Sequence, residues 1–293
     1  MGMSGRLFCF GLGYTAEAFA RRVSALGWQV AGTTRTPEGV ERLKVLGYDA
    51  FLFDGKEPSP ETSSAVANAT HILVSAGPDE TGDPTLHCHG DDIATAVNLS
   101  WIGYLSTVGV YGDAGGEWID ETPVPRPGSD RTRRRIAAEN DWLAFGRAHG
   151  KRVQVFRLGG IYGPGRSVIE DIRDGTARRI IKPGQVFNRI HVDDIAAVLE
   201  AAATGRGTHT LYNVTDGEPS PPQVVVEHAA HLLGIAPPPE VPFDEAPLSP
   251  MGRSFYNENR RVRSQRIRDD LGVTLRYPSY REGITAILAA RDS

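Results

Sequence analysis

Short apolar runs alternate with segments in which apolar residues recur at helical spacing over the first half of the chain. The first run, residues 7–10, is followed by Phe19, Val23 and Leu26 on one predicted helical face. Further apolar runs predict buried strands at residues 28–32, 50–53, 71–74 and 101–105. Alternating strands and helices are typical of a parallel sheet covered on both faces. The pattern therefore predicts the α/β fold class, with a doubly wound parallel sheet.

The turn after the first predicted strand has the sequence G-L-G-Y-T-A, which is the dinucleotide-binding pattern G-x-G-x-x-A. Gly11 permits a tight turn, Gly13 has no side chain to block a pyrophosphate, and Ala16 lets the helix pack close to the strand. The helix start offers free N–H groups and a positive dipole end to phosphates. The residues expected to contact a dinucleotide here are Gly11, Gly13, Tyr14, Thr15 and Ala16. A purely structural turn is the alternative.

The end of the second predicted strand indicates which dinucleotide is bound. Sites for NAD usually place an acidic residue here for the ribose 2′-hydroxyl, whereas sites for NADP place an arginine for the 2′-phosphate. Residues 31–36 contain no acidic residue and include Thr34 and Arg35. We therefore expect NADP(H) to be preferred over NAD(H). The alternative is that Arg35 is only a solvated arginine at a helix start.

Small and polar residues also follow the third and fourth predicted strands. Asp54 ends the third strand, and Ser75, Ala76 and Gly77 follow the fourth. Ligands of doubly wound sheets bind at the carboxyl ends of the strands, so these residues are candidate neighbours of the adenine and ribose. Each of them taken singly is also compatible with an ordinary strand-end turn.

Composition and charge exclude several classes of protein. The chain has 293 residues, a net charge of −4 and 40% hydrophobic residues. Acidic side chains slightly outnumber basic ones, so no nucleic-acid partner is expected. No apolar run approaches the length of a membrane span, and no secretory leader precedes the first strand. We therefore expect a protein of the cytoplasm that does not bind membranes.

The cysteine and histidine residues do not predict a metal site. Cys9 and Cys88 cannot form a disulfide framework, and Cys9 is expected in the core. His87, Cys88 and His89 lie together, but no second group of metal ligands is near them in the sequence. No metal is therefore expected.

Four segments after the fifth predicted strand begins have distinctive sequences: L-S-T-V-G-V-Y-G-D (residues 105–113), R-L-G-G-I-Y-G-P-G (157–165), R-I-H-V-D-D-I-A (189–196) and Y-N-V-T-D-G-E-P (212–219). They resemble motifs of the extended short-chain dehydrogenase/reductase family, which includes the NAD-dependent epimerases and dehydratases. Together with the glycine turn they follow the order of the family from residue 7 to about residue 219. The resemblance implies that Thr107 is the catalytic Ser/Thr, whose hydroxyl holds the substrate oxygen. It also implies a C-terminal lobe for the substrate and, as the family expectation, a homodimer.

The sequence departs from the family at the general acid/base. The family has Tyr-x-x-x-Lys on the helix after the fifth strand, and alignment on residues 137–139 places Arg131 and Arg135 at those positions. Arg135 can supply positive charge to the cofactor ribose, but an arginine stays protonated and is a poor proton donor. Tyr111 is the first candidate to replace the missing tyrosine, and packing or substrate stacking is the alternative for it.

The second part of the chain is expected to bind the substrate. We predict a dinucleotide-binding Rossmann core over residues 1–165 and, over 166–293, a region that completes the sheet and forms a mostly helical lobe. Helices are predicted at 192–203, 222–233, 260–271 and 280–290, with a loop at 237–250. Between residues 166 and 189 lies a group of cationic side chains that suits phosphate or carboxylate groups, unless it is a solvated, ion-paired helix. Arg189 and Tyr162 are the candidate substrate contacts.

Two functions remain open on the sequence. The first is an atypical, NADP-binding extended short-chain dehydrogenase that reduces, dehydrates or epimerises a small anionic or sugar-like substrate. The intact Thr107 segment favours this enzyme. The second is a non-catalytic NADP-binding protein that senses the cofactor or binds a partner, which the missing tyrosine and lysine favour.

Overall fold

The computed structural model describes residues 5–290, and over the first half of the chain strands alternate with helices as predicted. The strands are β1 (Arg6–Phe10), β2 (Gln29–Thr34), β3 (Asp49–Leu52), β4 (His71–Val74), β5 (Trp101–Thr107), β6 (Trp118–Ile119), β7 (Val153–Leu158), β8 (Gly160–Tyr162), β9 (Arg179–Ile181), β10 (Arg189–His191), β11 (Leu211–Val214), β12 (Glu240–Pro242) and β13 (Arg261–Val262). The helices are α1 (Tyr14–Ser24), α2 (Pro37–Val45), α3 (Pro60–Ala67), α4 (Pro84–Thr95), α5 (Asp130–His149), α6 (Val168–Arg173), α7 (Val192–Ala203), α8 (Pro222–Leu232), α9 (Pro250–Ser254), α10 (Gln265–Asp269) and α11 (Tyr280–Ala289).

The central sheet is parallel throughout and has the strand order β11-β7-β5-β4-β1-β2-β3. The order reverses between β1 and β4, which is the switch point where doubly wound sheets bind ligands. The predicted fold class is therefore confirmed. Strands β1 to β5 begin and end within two residues of the predicted runs. The strands β1, β4 and β5 are buried along most of their length, as in a sheet covered on both faces, whereas the edge strand β3 leaves Leu52 50% exposed.

Alternate side chains of β1 enter opposite layers of the core. Leu7 and Cys9 pack with Phe19 of α1 and Leu199 of α7, on one face of the sheet. Phe8 and Phe10 pack on the other face, in the same cluster as Trp142 of α5. Each such side chain stabilises the fold by about 1.5–3 kcal/mol when it is buried. The alternation places the carboxyl end of β1 between two helical layers, and Cys9 is in the core as predicted.

A smaller region follows β7 and lies beyond the large sheet. It contains the parallel pairs β8–β10 and β9–β12. Its apolar centre joins Ile169 of α6, Val225 of α8 and Ile284 of α11. The chain returns to the large sheet through β11, which pairs with β7.

The predicted helix at residues 260–271 is wrong. Residues Arg261–Val262 form β13, which pairs in parallel with β6, and only Gln265–Asp269 is helical. Val262 is 1% exposed, and its N–H donates to Asn188 Oδ1 at 2.8 Å. Long-range pairing and burial thus override the helical spacing of this segment.

One smaller expectation also needs correction. The predicted loop at 237–250 contains β12, whose residue Val241 packs in a small cluster with Tyr256. Within residues 5–290, no helix is both long enough and apolar enough to cross a lipid bilayer.

Candidate functional site

The glycine turn after β1 leaves open space at the start of α1. Gly11 has a φ of +81°, and a Cβ there would lie 3.1 Å from the backbone N of Ala76. A Cβ on Gly13 would have no heavy atom of the described residues within 4 Å. Gly13 is also the N-cap of α1, and no side chain among residues 5–290 caps this end of the helix. The first N–H groups of α1 therefore face a space that can hold an anion.

The next residues of the turn have different environments. Thr15 and Ala16 are buried, so their backbone rather than their side chains can approach a ligand. The hydroxyl of Tyr14 donates to the Pro164 carbonyl at 3.1 Å, and the Arg166 guanidinium lies 5.7 Å from the Tyr14 ring centroid. Burial raises the pKa of Tyr14 to about 12. Tyr14 thus joins the glycine turn to the segment after β8.

Arg35 stands free at the end of β2. Its side chain is exposed, and within residues 5–290 it forms no hydrogen bond or ion pair. Thr34 beside it is half-buried and packs closely on the backbone of Gly39, where a Cβ would be 2.4 Å from Thr34 Oγ1. The structure therefore leaves Arg35 available to an anionic ligand.

The ends of β3 and β4 lie on the same edge of the sheet. Asp54 is exposed and pairs with Lys56 at 2.9 Å, and the hydrogen bond from Lys56 lowers the pKa of Asp54. The backbone N–H groups of Ser75 and Ala76 both donate to the Phe10 carbonyl, at 2.9 and 3.0 Å. These two bonds hold the segment after β4 directly beside the glycine turn.

Arg135 reaches this edge from α5. Its Nη1 donates to the Leu105 carbonyl at 2.9 Å and to the Tyr104 hydroxyl at 3.2 Å. Its Nη2 lies beside Gly77, at 2.9 Å from the place a Cβ would take. The guanidinium thus bridges the carboxyl ends of β4 and β5.

Thr107 is the last residue of β5 and lines a large cavity. Its Oγ1 accepts the N–H of Gly109 at 3.1 Å, which caps a short 3₁₀ helix, Val108–Tyr111. The cavity has a volume of about 910 Å³ and continues from Thr107 to the start of α5, to the end of β7, to the start of β10 and to residues 254–260.

Tyr111 does not face this cavity. Its side chain is 4% exposed, its hydroxyl donates to Asn213 Oδ1 at 2.7 Å, and Arg157 lies 4.7 Å from its ring centroid. Burial raises the pKa of Tyr111. The 3₁₀ turn directs the ring into a cluster with Val110 and Val262. In the structure Tyr111 therefore has the packing position that is the alternative to an acid/base, and it is not among the residues that line the cavity.

Tyr162 and Arg189 lie side by side and form a wall between two cavities. They line both the cavity beside Thr107 and a second one of about 550 Å³. The Tyr162 hydroxyl donates to the Ser279 carbonyl at 3.2 Å, and burial raises its pKa. Arg189 Nη1 donates to the carbonyls of Phe187 and Ser220, each at 3.1 Å. Burial lowers the pKa of Arg189, and the nearby carboxyl group of Asp216 opposes that shift.

Comparisons with known proteins identify relatives in sequence and in fold. No family model matches the sequence. A functionally unknown conserved protein from Silicibacter pomeroyi is 47% identical, with a TM-score of 0.88, over 99% of this chain and 100% of that one. Protein YeeZ of Escherichia coli is 29% identical over 92% of this chain and 94% of its own length. UDP-glucose 4-epimerase of Thermus thermophilus, in complex with NAD, is 20% identical with a TM-score of 0.75, over 97% of this chain and 98% of that one.

The chain belongs to one family with the Silicibacter pomeroyi protein. Its fold is that of the NAD-dependent epimerases and dehydratases, the extended short-chain dehydrogenases that the sequence motifs resemble. In the epimerase-like fold of this chain, Arg131 and Arg135 lie in the first two turns of α5, where the motif alignment placed them. Arg131 lines the cavity beside Thr107. Arg135 instead lies beside Gly77, in the segment after β4 that adjoins the glycine turn.

The cationic segment 166–189 does not form one cluster in the epimerase-like fold. Arg179 pairs with Glu227 at 2.5 Å and with Glu240 at 2.8 Å. Arg178 donates to two backbone carbonyls. The Arg179 ion pairs join β9 to α8 and β12. Of the cationic side chains in segment 166–189, only Arg189 lines the cavity beside Thr107.

Several cavity residues could not be found by the motifs. The wall opposite Thr107 includes Phe255, Tyr256, Glu258 and Arg260, from a part of the sequence in which no motif stands. Arg126, in the loop before α5, also lines the cavity. The sequence near Arg260 offers one signal, the three arginines within residues 260–263. Such a run can bind phosphate, but it is equally compatible with a solvent-exposed face.

The histidines of α4 lie apart from this site. His87 is exposed, whereas His89 is buried and contacts Asp92 Oδ2 through Nδ1 at 2.8 Å. Among residues 5–290, no three His, Cys, Asp or Glu side chains come together in a group that could hold a metal ion.

Proposed function

We propose that this chain binds a nicotinamide dinucleotide along the carboxyl edge of the sheet, from the end of β2 across the glycine turn to Thr107. The observation that carries the proposal is the open space over Gly13 at the uncapped start of α1. A pyrophosphate fits there because N–H groups and the helix dipole face it and no side chain intrudes. Tyr14, Thr15 and Ala16 form the first turn of that helix. Ser75, Ala76 and Asp54 line the same edge, toward the adenine and ribose.

We infer a preference for NADP(H) over NAD(H). Within residues 5–290 the side chain of Arg35, just after the end of β2, is exposed and has no hydrogen-bond or ion-pair partner, and Thr34 beside it is half-buried. A guanidinium binds a 2′-phosphate through paired hydrogen bonds, whereas a 2′-hydroxyl offers it no charge. The Thermus thermophilus epimerase is in complex with NAD, so this preference would distinguish the two proteins.

We propose an oxidoreductase, epimerase or dehydratase that acts on a small anionic or sugar-like substrate in the cavity beside Thr107. A bound nicotinamide would exchange a hydride with a substrate carbon. Thr107 Oγ1 already accepts the N–H of Gly109, so its hydroxyl proton remains available to a substrate oxygen. Arg135 places a fixed positive charge beside Gly77, at the edge where the nicotinamide ribose would lie. Tyr162 and Arg189 would form the far wall of the substrate space.

We propose that the two parts of the chain divide these tasks at about residue 165. The glycine turn, Arg35, Arg135 and Thr107 precede this point. The wall formed by Tyr162, Arg189 and residues 254–260 is built almost entirely by the part that follows it. Changes in the second part should therefore alter substrate choice more than nucleotide affinity.

A binding titration with NADPH, NADP, NADH and NAD tests the cofactor proposal. We expect Arg35→Ala to weaken NADPH binding about tenfold or more and to leave NADH binding nearly unchanged, because it removes one charge-assisted contact to phosphate. Arg147→Ala is the matched control, since Arg147 is an exposed arginine in the last turn of α5, away from the site. Absence of binding for all four nucleotides would contradict the proposal.

The second candidate is a non-catalytic NADP-binding protein. The burial of Tyr111 and the arginine at position 131 favour it, because neither side chain can exchange a proton with a substrate in the cavity. Incubation of NADPH-bound protein with carbonyl compounds and nucleotide sugars distinguishes the two. Substrate-dependent oxidation of NADPH supports the enzyme, whereas tight NADPH binding with no turnover across the panel supports the sensor.

A further inference from the structure

The cavity beside Thr107 contains arginine side chains that no carboxylate of the described residues neutralises. Arg126 and Arg131 both line it, both are exposed, and neither forms a hydrogen bond or ion pair within residues 5–290. Arg260, on the opposite wall, is paired with Glu258 at 2.7 Å. Arg126 and Arg131 therefore keep their full hydrogen-bonding capacity for a ligand.

Positively charged side chains outnumber negatively charged ones among the described residues that line the cavity. Its lining includes Arg126, Arg131, Arg189 and Arg260 but only two carboxylates, Asp113 and Glu258. The carboxylate of Asp113 is already hydrogen-bonded, because its Oδ1 accepts the backbone N–H groups of Asn259 at 2.7 Å and Gly115 at 3.1 Å. A partly enclosed cleft with an excess of one charge concentrates ligands of the opposite charge.

Arg131 is also held in a defined orientation. Its guanidinium lies 4.8 Å from the centroid of the Phe255 ring, which lines the same cavity. A guanidinium stacked on an aromatic face loses little freedom when it binds, and its N–H edge remains open to a planar or tetrahedral oxyanion. Ser129 caps the start of α5 beside it, so the positive end of the helix dipole lies at the same place.

We propose that Arg131, assisted by Arg126, binds an anionic group of the substrate, a phosphate or a carboxylate. This inference rests on the proposed function in assigning the cavity to the substrate. Arg131 occupies the position at which the family motif has its proton-donating tyrosine. The exchange replaces a proton donor by a permanent cation and makes Arg131 a specificity-determining residue. Its neighbour one turn later, Arg135, faces the cofactor edge, so one helix serves two separate anions.

The test is a calorimetric titration of NADPH-saturated protein with phenyl phosphate and with benzoate. NADPH occupies the nucleotide phosphate sites, so any further anion binding is reported separately. The two probes share an apolar ring and differ in their anionic group, and the tighter one identifies the group. We expect Arg131→Gln to raise the dissociation constant of that probe about tenfold or more, since a charge-assisted contact is lost.

Arg133→Gln is the matched control, because it removes the same charge from the same helix turn. Arg133 is exposed and pairs with Asp130 at 2.6 Å. We expect it to change anion affinity less than about twofold, in agreement with screening of exposed charges. Phe255→Leu keeps the charge of Arg131 but removes the stacked ring, and an intermediate loss is expected. Equal losses in Arg131→Gln and Arg133→Gln would overturn the inference.

The outcomes separate this inference from the proposed function. If NADPH binds and neither probe does, the inference is wrong and the cofactor proposal stands. If NADPH does not bind, the cofactor proposal fails. The same titration of the nucleotide-free protein then decides whether anion binding depends on Arg131. NADPH affinity is expected to be equal in the wild type and in all three variants.

Discussion

The guanidinium of Arg135 lies against the backbone of Gly77, with Nη2 only 2.9 Å from the place a Cβ would take. The contact joins a helix that follows β5 to the segment that follows β4. Because Gly77 has no Cβ, the guanidinium of Arg135 can lie at the carboxyl edge of the sheet. The same guanidinium is fixed from behind by the Leu105 carbonyl.

Gly77→Ala should therefore weaken NADPH binding with little loss of stability. The added methyl group would push the end of a flexible side chain rather than backbone, so we expect the free energy of unfolding to change by less than about 1 kcal/mol. Displacing the guanidinium should raise the dissociation constant of NADPH by about three- to tenfold. Urea denaturation and a fluorescence titration measure the two effects. A large loss of stability with unchanged NADPH affinity would contradict this placement.

The same substitution at two other glycines should give opposite results. A Cβ on Gly13 meets open space, whereas a Cβ on Gly32 would be 2.8 Å from the Cys9 carbonyl oxygen and 2.9 Å from Leu12 Cβ. We expect Gly13→Ala to keep the stability of the wild type and to lose about tenfold or more in NADPH affinity. Gly32→Ala should lower the free energy of unfolding by about 1–3 kcal/mol because it overpacks the core. A stable Gly13→Ala variant with unchanged NADPH affinity would show that no pyrophosphate lies over this turn.

Thr107→Val should separate turnover from binding. It removes the hydroxyl but keeps the shape of the side chain, so NADPH affinity should be unchanged, while turnover of any substrate found by screening falls by about 10²–10³. Thr107→Ser should restore most of the activity. Tyr111→Phe is the control, because it loses the bond to Asn213 inside the core. We expect Tyr111→Phe to lower stability by about 1–2 kcal/mol and to leave turnover unchanged.

Asp216 predicts a dependence of stability on pH. Burial raises its pKa to about 8, against an unfolded value of about 3.9. Between these values the folded state keeps a proton that the unfolded state has released, so stability is lost as the pH rises from about 4 to 8. The free energy of unfolding should fall by up to about 1.4 kcal/mol per pH unit from this group. Urea denaturation at several pH values measures the slope.

Asp216→Asn supplies the control for that slope, since it keeps the size of the side chain and removes the titration. The variant should be less sensitive to pH over this interval and more stable than the wild type near pH 8. An unchanged slope would assign the pH dependence to other groups, and Asp194, whose pKa burial also raises, would be the next to substitute.

The parts of the fold that follow from local sequence were predictable. The strands β1 to β5 and the glycine turn depend on apolar runs and on a spacing of a few residues, which a sequence displays directly. The doubly wound order follows from their alternation with helices. The edge position of Arg35 and Thr107 follows from where their strands end.

The remaining features depend on contacts between distant parts of the chain. The inward direction of Tyr111 results from a 3₁₀ turn and from Asn213 on β11. The strand β13 forms because β6 stands beside it, and the arginine at 131 acquires its ring partner from residue 255. No spacing within a short window indicates such pairs, so the lining of the cavity beside Thr107 was predicted less completely than the surroundings of the glycine turn.

The pairing of β13 with β6 has a consequence for how a substrate would enter. The segment that carries Arg260 is bonded on one side to Glu117 and Ile119 and on the other to Asn188. It closes one flank of the cavity, and opening that flank would break the backbone bonds to β6 and the bonds to the side-chain amide of Asn188. The binding space is thus largely set during folding. A ligand would spend little of its binding energy on ordering this wall, and selection among substrates would depend on rigid shape and charge.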